Sequence, residues 1–248
     1  NIDDPFGVGI AAEAHDVITV GRSAHAQVRA VDERLRVDGS TFTLVAPRSS
    51  VRVELPLAGA FNVSNALVAA GCAIALGIDL DVIARGLESA PQVPGRMERI
   101  DCGQPFSVVV DYAHTPDSLE KAIDAVRGVT RGRVIVVFGC GGDRDPDKRP
   151  LMGRAAAVAD HAIVTSDNPR SEDPVGIILQ VEDGLRAAGA TYEVAIDRRA
   201  AIGTAIDLAG PADTVLIAGK GHETYQEFAE NRIHFDDREV AREVLGSC

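Results

Sequence analysis

Four short stretches concentrate chemistry-bearing residues: DYAHTP at 111–116, GCGGDRD at 139–145, TSDNPR at 165–170 and AGKGHE at 218–223. In the third, Pro169 stiffens the loop and biases Asn168 away from helix, so Asp167, Asn168 and Arg170 are held in fixed directions. An arginine beside an acid and an amide suits the zwitterionic end of an amino acid. The planar guanidinium fork takes the carboxylate and the acid takes the ammonium. In AGKGHE, Glu223 offers a second ammonium partner, after a turn in which Gly219 and Gly221 leave backbone amides accessible. The competing reading of both loops is a capped turn with surface charges.

The other two stretches admit anion chemistry. Gly139, Gly141 and Gly142 allow close backbone approach to an anion, although no GK[ST] follows, so this is not a P-loop. Arg144 is a fork for carboxylate or phosphate, or else a surface ion pair with Asp143, Asp145 or Asp147. Asp111 ends an apolar run, where a carboxylate accepts hydrogen bonds from a ribose diol or serves as a turn residue. His114 lies close to a helix start, where a phosphate is favoured, or is simply an exposed loop histidine. In LAGAFNVSNALVAAG, Asn62 and Asn65 share one helix face. Together they present amide donors and acceptors to an adenine edge, whereas N-capping explains only one of them.

These loops need elements to hold them. From Val17 to about Leu57, short β-type runs (VITV, AQVRAV, STFTLVA, VRVELPL) predict a small, mostly antiparallel sheet, followed by two helices over NALVAAGCAIALG and LDVIARGLESA. The opening NIDDPFGVGI reads as a strand end entering a loop. APQVPGR, at 90–96, has the composition of a linker and divides the chain into 1–94 and 95–248. Beyond it, FSVVVDYA, RVIVVFGCGG, HAIVTS, TYEVAI and DTVLIAG alternate with helical segments, which predicts an α/β, doubly wound, largely parallel sheet flanked by helices. Thr115 and Pro116 suit the cap and first position of the first of those helices. NRIHF reads as a further edge strand before a last helix, DDREVAREVL. In such sheets ligands collect beyond the carboxyl ends of the strands, and all four chemical stretches lie there.

Composition narrows the function classes. The chain has 248 residues, a formal net charge of -12 and a pI near 4.9; such a balance repels a polyanion, so nucleic acid is not expected as a partner. The cysteines Cys72, Cys102, Cys140 and Cys248 lack metal spacing and are too scattered for a disulfide framework, which fits a reducing cytosol. No apolar run approaches the ~20 residues that span a bilayer, so no membrane partner is expected. No GxGxxG follows a strand, which disfavours a dinucleotide oxidoreductase.

Taken in order, GAFNVSNALVAA, PGRMERI, VVVDYAHTPDSLEKAI, FGCGGDRDPDKRPLMG, TSDNPRSEDP and AGKGHETYQ resemble the Mur ligase family over essentially the whole chain. The resemblance implies a Rossmann-like carboxy-terminal domain at 95–248 that binds the amino acid. It implies that 1–94 are the latter part of the α/β ATP-binding central domain. It further implies ATP-dependent amide bond formation through an acyl phosphate, in a cytoplasmic, monomeric enzyme of peptidoglycan precursor synthesis. DNPR is the mark of the family's diaminopimelate-adding branch, whose substrates are a UDP-N-acetylmuramoyl dipeptide, meso-diaminopimelate and ATP. By that resemblance Arg144, Asp167, Asn168, Pro169, Arg170, Gly219 and Glu223 line the diaminopimelate pocket. Asn62, Asn65, Arg96, Asp111 and His114 fall at positions that surround ATP. The family's phosphate loop, magnesium-binding glutamate and carbamylated lysine lie upstream of the position of Asn1. The sequence therefore reads as the carboxy-terminal portion of a longer chain, inactive alone, with the Mg2+ ligands expected upstream. Lysine-adding or folylpolyglutamate-type ligases, and a non-catalytic amino-acid or nucleotide binding module, are the alternatives.

Overall fold

The computed structural model describes residues 1–246, so Cys248 lies outside the described residues. The chain divides into two compact units, Asn1–Gln92 and the remainder from Val93. The division falls inside the APQVPGR stretch.

The first unit opens with α1 (Pro5–Glu13), which replaces the strand end expected for NIDDPFGVGI. The reason is local: the Asp4 side chain accepts from the Phe6 amide, and Pro5 occupies the first turn, where its missing N–H costs nothing. None of the α1 side chains is buried, so no periodic core face marked it in the sequence. Strands β1 (Val20–Gly21), β2 (Val28–Arg36), β3 (Gly39–Val45) and β4 (Ser50–Leu55) form one sheet in that order. The first pair is parallel and the other two antiparallel. Its inward residues, among them Val28, Phe42, Leu44 and Val53, pack on Val63, Leu67 and Ala70 of α2 (Ala60–Ala75) and Ile83 of α3 (Leu80–Glu88).

In the second unit the elements run β5 (Glu98–Ile100), β6 (Ser107–Asp111), α4 (Pro116–Arg127), β7 (Val134–Cys140), α5 (Lys148–Ala156), β8 (His161–Ser166), α6 (Pro174–Ala187), β9 (Tyr192–Val194), α7 (Arg198–Leu208) and β10 (Thr214–Ala218). The spatial order is β5-β6-β10-β7-β8-β9. All pairings are parallel except that of the edge strand β5 with β6. The chain thus leaves β6, skips one slot to reach β7, and returns to fill that slot last with β10. Strand alternation sends Val108, Val110, Ile135, Val137, Val215 and Ile217 to one face, against Ile202 and Ala205 of α7 and Val240 of α8 (Asp237–Val244). The opposite face carries the mutually packed α4, α5 and α6. Thr115 caps α4 by accepting from the Ser118 amide at 3.2 Å, with Ser118 answering in a capping box.

NRIHF is not an edge strand of this sheet. It forms β12 (Asn231–His234), paired only with β11 (Tyr225–Phe228) in a separate antiparallel hairpin. A short polar strand has no face to bury in a sheet covered on both sides. The sheet's antiparallel edge is supplied by β5, whose three residues lie within the PGRMERI stretch. Cys72 is an exposed free thiol and Cys140 a buried one.

Candidate functional site

The carboxyl ends of β6, β7, β8 and β10 surround a cleft of about 330 Å³. Its lining combines His114 and Thr115 after β6, Gly139, Gly141, Arg144 and Lys148 around the end of β7, Asp167, Asn168 and Arg170 after β8, and Gly219 and Glu223 after β10. Of the residues singled out in the second unit, Arg96, Asp111, Gly142, Pro169 and Gly221 do not line it.

The loop after β8 is fixed by side chains that reach it from β10 and β11. Asn168 is buried and bonded on both ends: its Nδ2 donates to Glu223 Oε2 at 3.1 Å, and its Oδ1 accepts from Lys220 Nζ and from the Glu227 amide, each at 3.1 Å. Asn168 is therefore the post that fixes Glu223. Arg170 adopts φ 51°, a conformation unusual for a side-chain-bearing residue. Its Nη1 donates to the Gly142 carbonyl at 2.7 Å and its Nε to Glu227 Oε2 at 3.1 Å. The fork has five N–H groups, so three remain for a ligand. Asp167 is buried and projects its carboxylate into the cleft, 4.0 Å from Arg198 Nη1. Gly219, at φ 118°, makes room for it: a Cβ there would stand 2.8 Å from Asp167 Oδ2.

Beneath these groups lies a charged layer that the sequence did not flag. Arg198 and Asp237 are both fully buried and bonded in a double fork, Nε to Oδ1 at 2.8 Å and Nη2 to Oδ2 at 2.7 Å. Burial opposes the charge on Arg198, but the carboxylates of Asp237, Asp167 and Glu223 together outweigh it and raise the arginine's pKa. Lys220 is also fully buried, and burial lowers its pKa against the pull of Asp167 and Glu223. A buried lysine carries the same letter as a surface one, and only the flanking glycines hinted that AGKGHE turns inward.

The glycine-rich loop after β7 packs differently from the expectation. A Cβ on Gly142 would meet the Pro169 carbonyl at 1.9 Å, and one on Gly139 the Thr165 carbonyl at 2.4 Å. These glycines permit one loop to lie on another, and the Gly142 amide donates to the Asn168 carbonyl at 2.9 Å. Gly141 also lines the cleft, with Arg170 Nη1 as the nearest atom to a built Cβ, at 3.0 Å. Arg144 is exposed and forms no ion pair among the described residues; it donates to the Asp143 carbonyl at 3.2 Å. Cys140 lines the cleft wall, and burial pushes its thiol pKa up to about 12, so it is an apolar surface at neutral pH.

On the β6 side, Asp111 accepts from the Met97 and Ala113 amides, each at 2.9 Å. Both oxygens hold the local backbone, and burial nevertheless raises its pKa. His114 Nδ1 lies 2.8 Å from the Tyr112 carbonyl, which can only accept, so Nδ1 carries the proton and Nε2 is left for a ligand. The Arg96 guanidinium sits over the Tyr112 ring at 4.7 Å, and Tyr112 contacts the rings of His114 and His222. In the first unit, Asn65 Nδ2 donates to Asn62 Oδ1 at 3.3 Å and Asn62 Nδ2 to the Ala58 carbonyl at 2.7 Å. Neither caps the helix, whose N-cap is Gly59; Asn62 is half-buried and Asn65 exposed.

The sequence matches the Mur ligase, glutamate ligase domain over residues 95–221 and the Mur ligase middle domain over residues 1–73. The chain belongs to the Mur ligase family. Among curated Mur ligases it is 50% identical over 247 residues to the UDP-N-acetylmuramoyl-L-alanyl-D-glutamate--2,6-diaminopimelate ligase of Geobacillus kaustophilus, covering 99% of this chain and 50% of that protein. It is 47% identical over 248 residues to the protein of the same name from Bacillus licheniformis, again covering 99% of this chain and 50% of that one. A solved structure of a ligase of that name superposes with a TM-score of 0.75 at 38% identity, covering 99% of this chain and 52% of the other. Folylpolyglutamate synthase from Thermotoga maritima shares the fold, with a TM-score of 0.60 at 22% identity over 78% of this chain and 44% of that one. The chain spans about half the length of the curated Mur ligases it matches.

Proposed function

We propose that this chain is the amino-acid-binding part of an ATP-dependent ligase that joins meso-diaminopimelate to the glutamate of UDP-N-acetylmuramoyl-L-alanyl-D-glutamate. The observation that carries the reading is the placement of Arg170. Its guanidinium enters a cleft that also holds the carboxylates of Asp167 and Glu223. A ligand with a carboxylate and an ammonium at one end meets the arginine fork and an acid there. L-lysine has only an ammonium at that end, so it would leave the fork without a partner.

The chemistry follows from charge. An amine attacks an acyl phosphate only when its far end is anchored so that the nitrogen is held on the line of attack, and orientation of this kind supplies much of the rate. Arg170, Asp167 and Glu223 would anchor that far end. Lys148 and Arg144 line the same cleft and would offset negative charge on the phosphate being displaced. ATP is the phosphoryl donor in this reading; Arg96, Asp111 and His114 are its candidate contacts in the second unit, and Asn62 and Asn65 are separate candidates in the first. The bonds of Asp111 to two backbone amides favour a supporting role for it. Among the described residues no group of three or more His, Cys, Asp or Glu is placed to hold a metal ion, so no magnesium step is assigned to these residues. No helix is long and apolar enough to cross a membrane.

The test is calorimetric titration with meso-diaminopimelate and, separately, with L-lysine, on the protein and on Arg170→Ala. Preference for meso-diaminopimelate that disappears in the variant is the expected result. The loss should be about 1.5 to 3 kcal/mol per charged hydrogen bond. Equal, small effects on both ligands would remove Arg170 from the pocket.

A further inference from the structure

The direction of Arg170 is not set by its own loop. Its backbone is in the left-handed region, which a residue with a Cβ occupies only when its surroundings hold it there. The surroundings are the β11–β12 hairpin. The Arg170 amide donates to the Glu227 carbonyl at 3.0 Å, the Arg170 carbonyl accepts from the Ala229 amide, and Arg170 bridges to Phe228 in parallel fashion. The Glu227 amide in turn donates to Asn168 Oδ1.

The side chain repeats the arrangement. Glu227 Oε2 accepts from Arg170 Nε at 3.1 Å, while Glu227 Oε1 lies 3.6 Å from Nη2 of Arg232, its cross-strand partner in the hairpin. Arg232 is itself stacked over the Tyr225 ring at 3.7 Å. Glu227 thus pairs with Arg232 through Oε1 and presents Oε2 to Nε of Arg170. That bond uses the Nε edge of the fork, and the Gly142 carbonyl uses one proton of Nη1, so the remaining Nη protons face a ligand in one orientation.

We propose that Glu227 is a specificity-determining positioning residue. Through the hairpin it holds the Arg170 fork in the orientation that accepts the second carboxylate of a diamino-dicarboxylate ligand. The inference rests on the reading that this cleft binds meso-diaminopimelate. Glu227 also competes with the ligand for the arginine's charge. Since the cost of freezing a loose arginine is removed in advance, orientation outweighs that competition.

Calorimetry of the protein, Glu227→Ala and Glu227→Gln with meso-diaminopimelate and with L-lysine tests the assignment, with thermal melting as a control for folding. L-lysine lacks the second carboxylate and so reports general damage to the cleft. Glu227→Ala should lower the preference for meso-diaminopimelate by at least about tenfold, the equivalent of one charge-assisted hydrogen bond, while L-lysine binding stays within about twofold. Glu227→Gln should recover much of the preference, because its amide oxygen still accepts from Nε. An unchanged or increased preference in Glu227→Ala, or equal weakening of both ligands, overturns the proposal. Absence of any preference in the unsubstituted protein would instead overturn the substrate reading and this inference with it.

Discussion

Removing the Arg198 side chain, as Arg198→Met, should cost the second unit about 3 to 5 kcal/mol, the penalty for leaving a buried charge without its partner. Asp237, at 0% side-chain exposure, would keep its carboxylate with both fork bonds gone. The Ala218 carbonyl would also lose the donor it receives from Nη2 at 3.0 Å. Asp237→Leu should cost a similar amount, now for a buried guanidinium. The double variant should be far less damaged than the sum of the two, within about 1 to 2 kcal/mol of the original, because no unpaired charge remains. Urea titration followed by tyrosine fluorescence isolates the unit concerned. There is no tryptophan, and Tyr112, Tyr192 and Tyr225 all belong to the second unit. Strict additivity, or single variants that each cost under about 1 kcal/mol, would refute the argument that this pair is dry and mutually dependent. The double variant carries a second expectation: it should fold yet bind ligand weakly, since Asp167 loses the cation 4.0 Å from its carboxylate.

Gly142→Ala should lower stability by about 1 to 3 kcal/mol and, on the proposed function, weaken binding of meso-diaminopimelate, since its Cβ would drive into the Pro169 carbonyl and part the two loops; denaturant melts and calorimetry read the two effects. Lys220→Met should preserve most of the stability, as the buried charge already works against burial, but it should loosen Asn168 and Glu223 and so raise the ligand's dissociation constant. His234 has its pKa raised above 6.5 by its hydrogen bond to Glu239. Its contribution to stability is fully present below pH 6.5 and is lost as pH rises through the raised value. An NMR titration should find the shifted midpoint and see it fall back in Glu239→Gln.

The second unit was legible where periodicity and position agree. VVVD, IVVFGC, IVTS and VLIA are runs that only a strand buried on both faces explains, and each leads into a loop with polar or charged residues that the parallel arrangement collects at one edge. The cleft followed from that edge. Harder to read were elements whose stabilising contacts lie elsewhere in the chain. The three residues of β5 are too few to show alternation, and α1 buries nothing. The β11–β12 hairpin has no buried face to show as a pattern, since β12 is exposed along its whole length. Arg198, Asp237 and Lys220 read as surface charges because their burial depends on each other and on Asp167, more than thirty positions away. Asn168 and Gly142 also support their neighbours, which spacing alone does not reveal: Asn168 bonds Glu223, Lys220 and the Glu227 amide, and Gly142 leaves room for the Pro169 carbonyl.

The late return of β10 to the gap between β6 and β7 has a consequence for synthesis. On the ribosome, β6, β7, β8 and β9 all emerge while the central slot of their sheet is empty, so the nascent unit presents two facing edges of unpaired backbone N–H and C=O groups that cannot bond across a strand-wide gap. Completion waits for Thr214–Ala218, and the same segment leads directly into Gly219 and Glu223 of the cleft. A translation product interrupted before that point would therefore lack both a closed sheet and a ligand site. Sheet closure and a complete cleft arrive together, so a half-made chain has no ligand site and is left with the exposed edges that chaperones and proteases recognise.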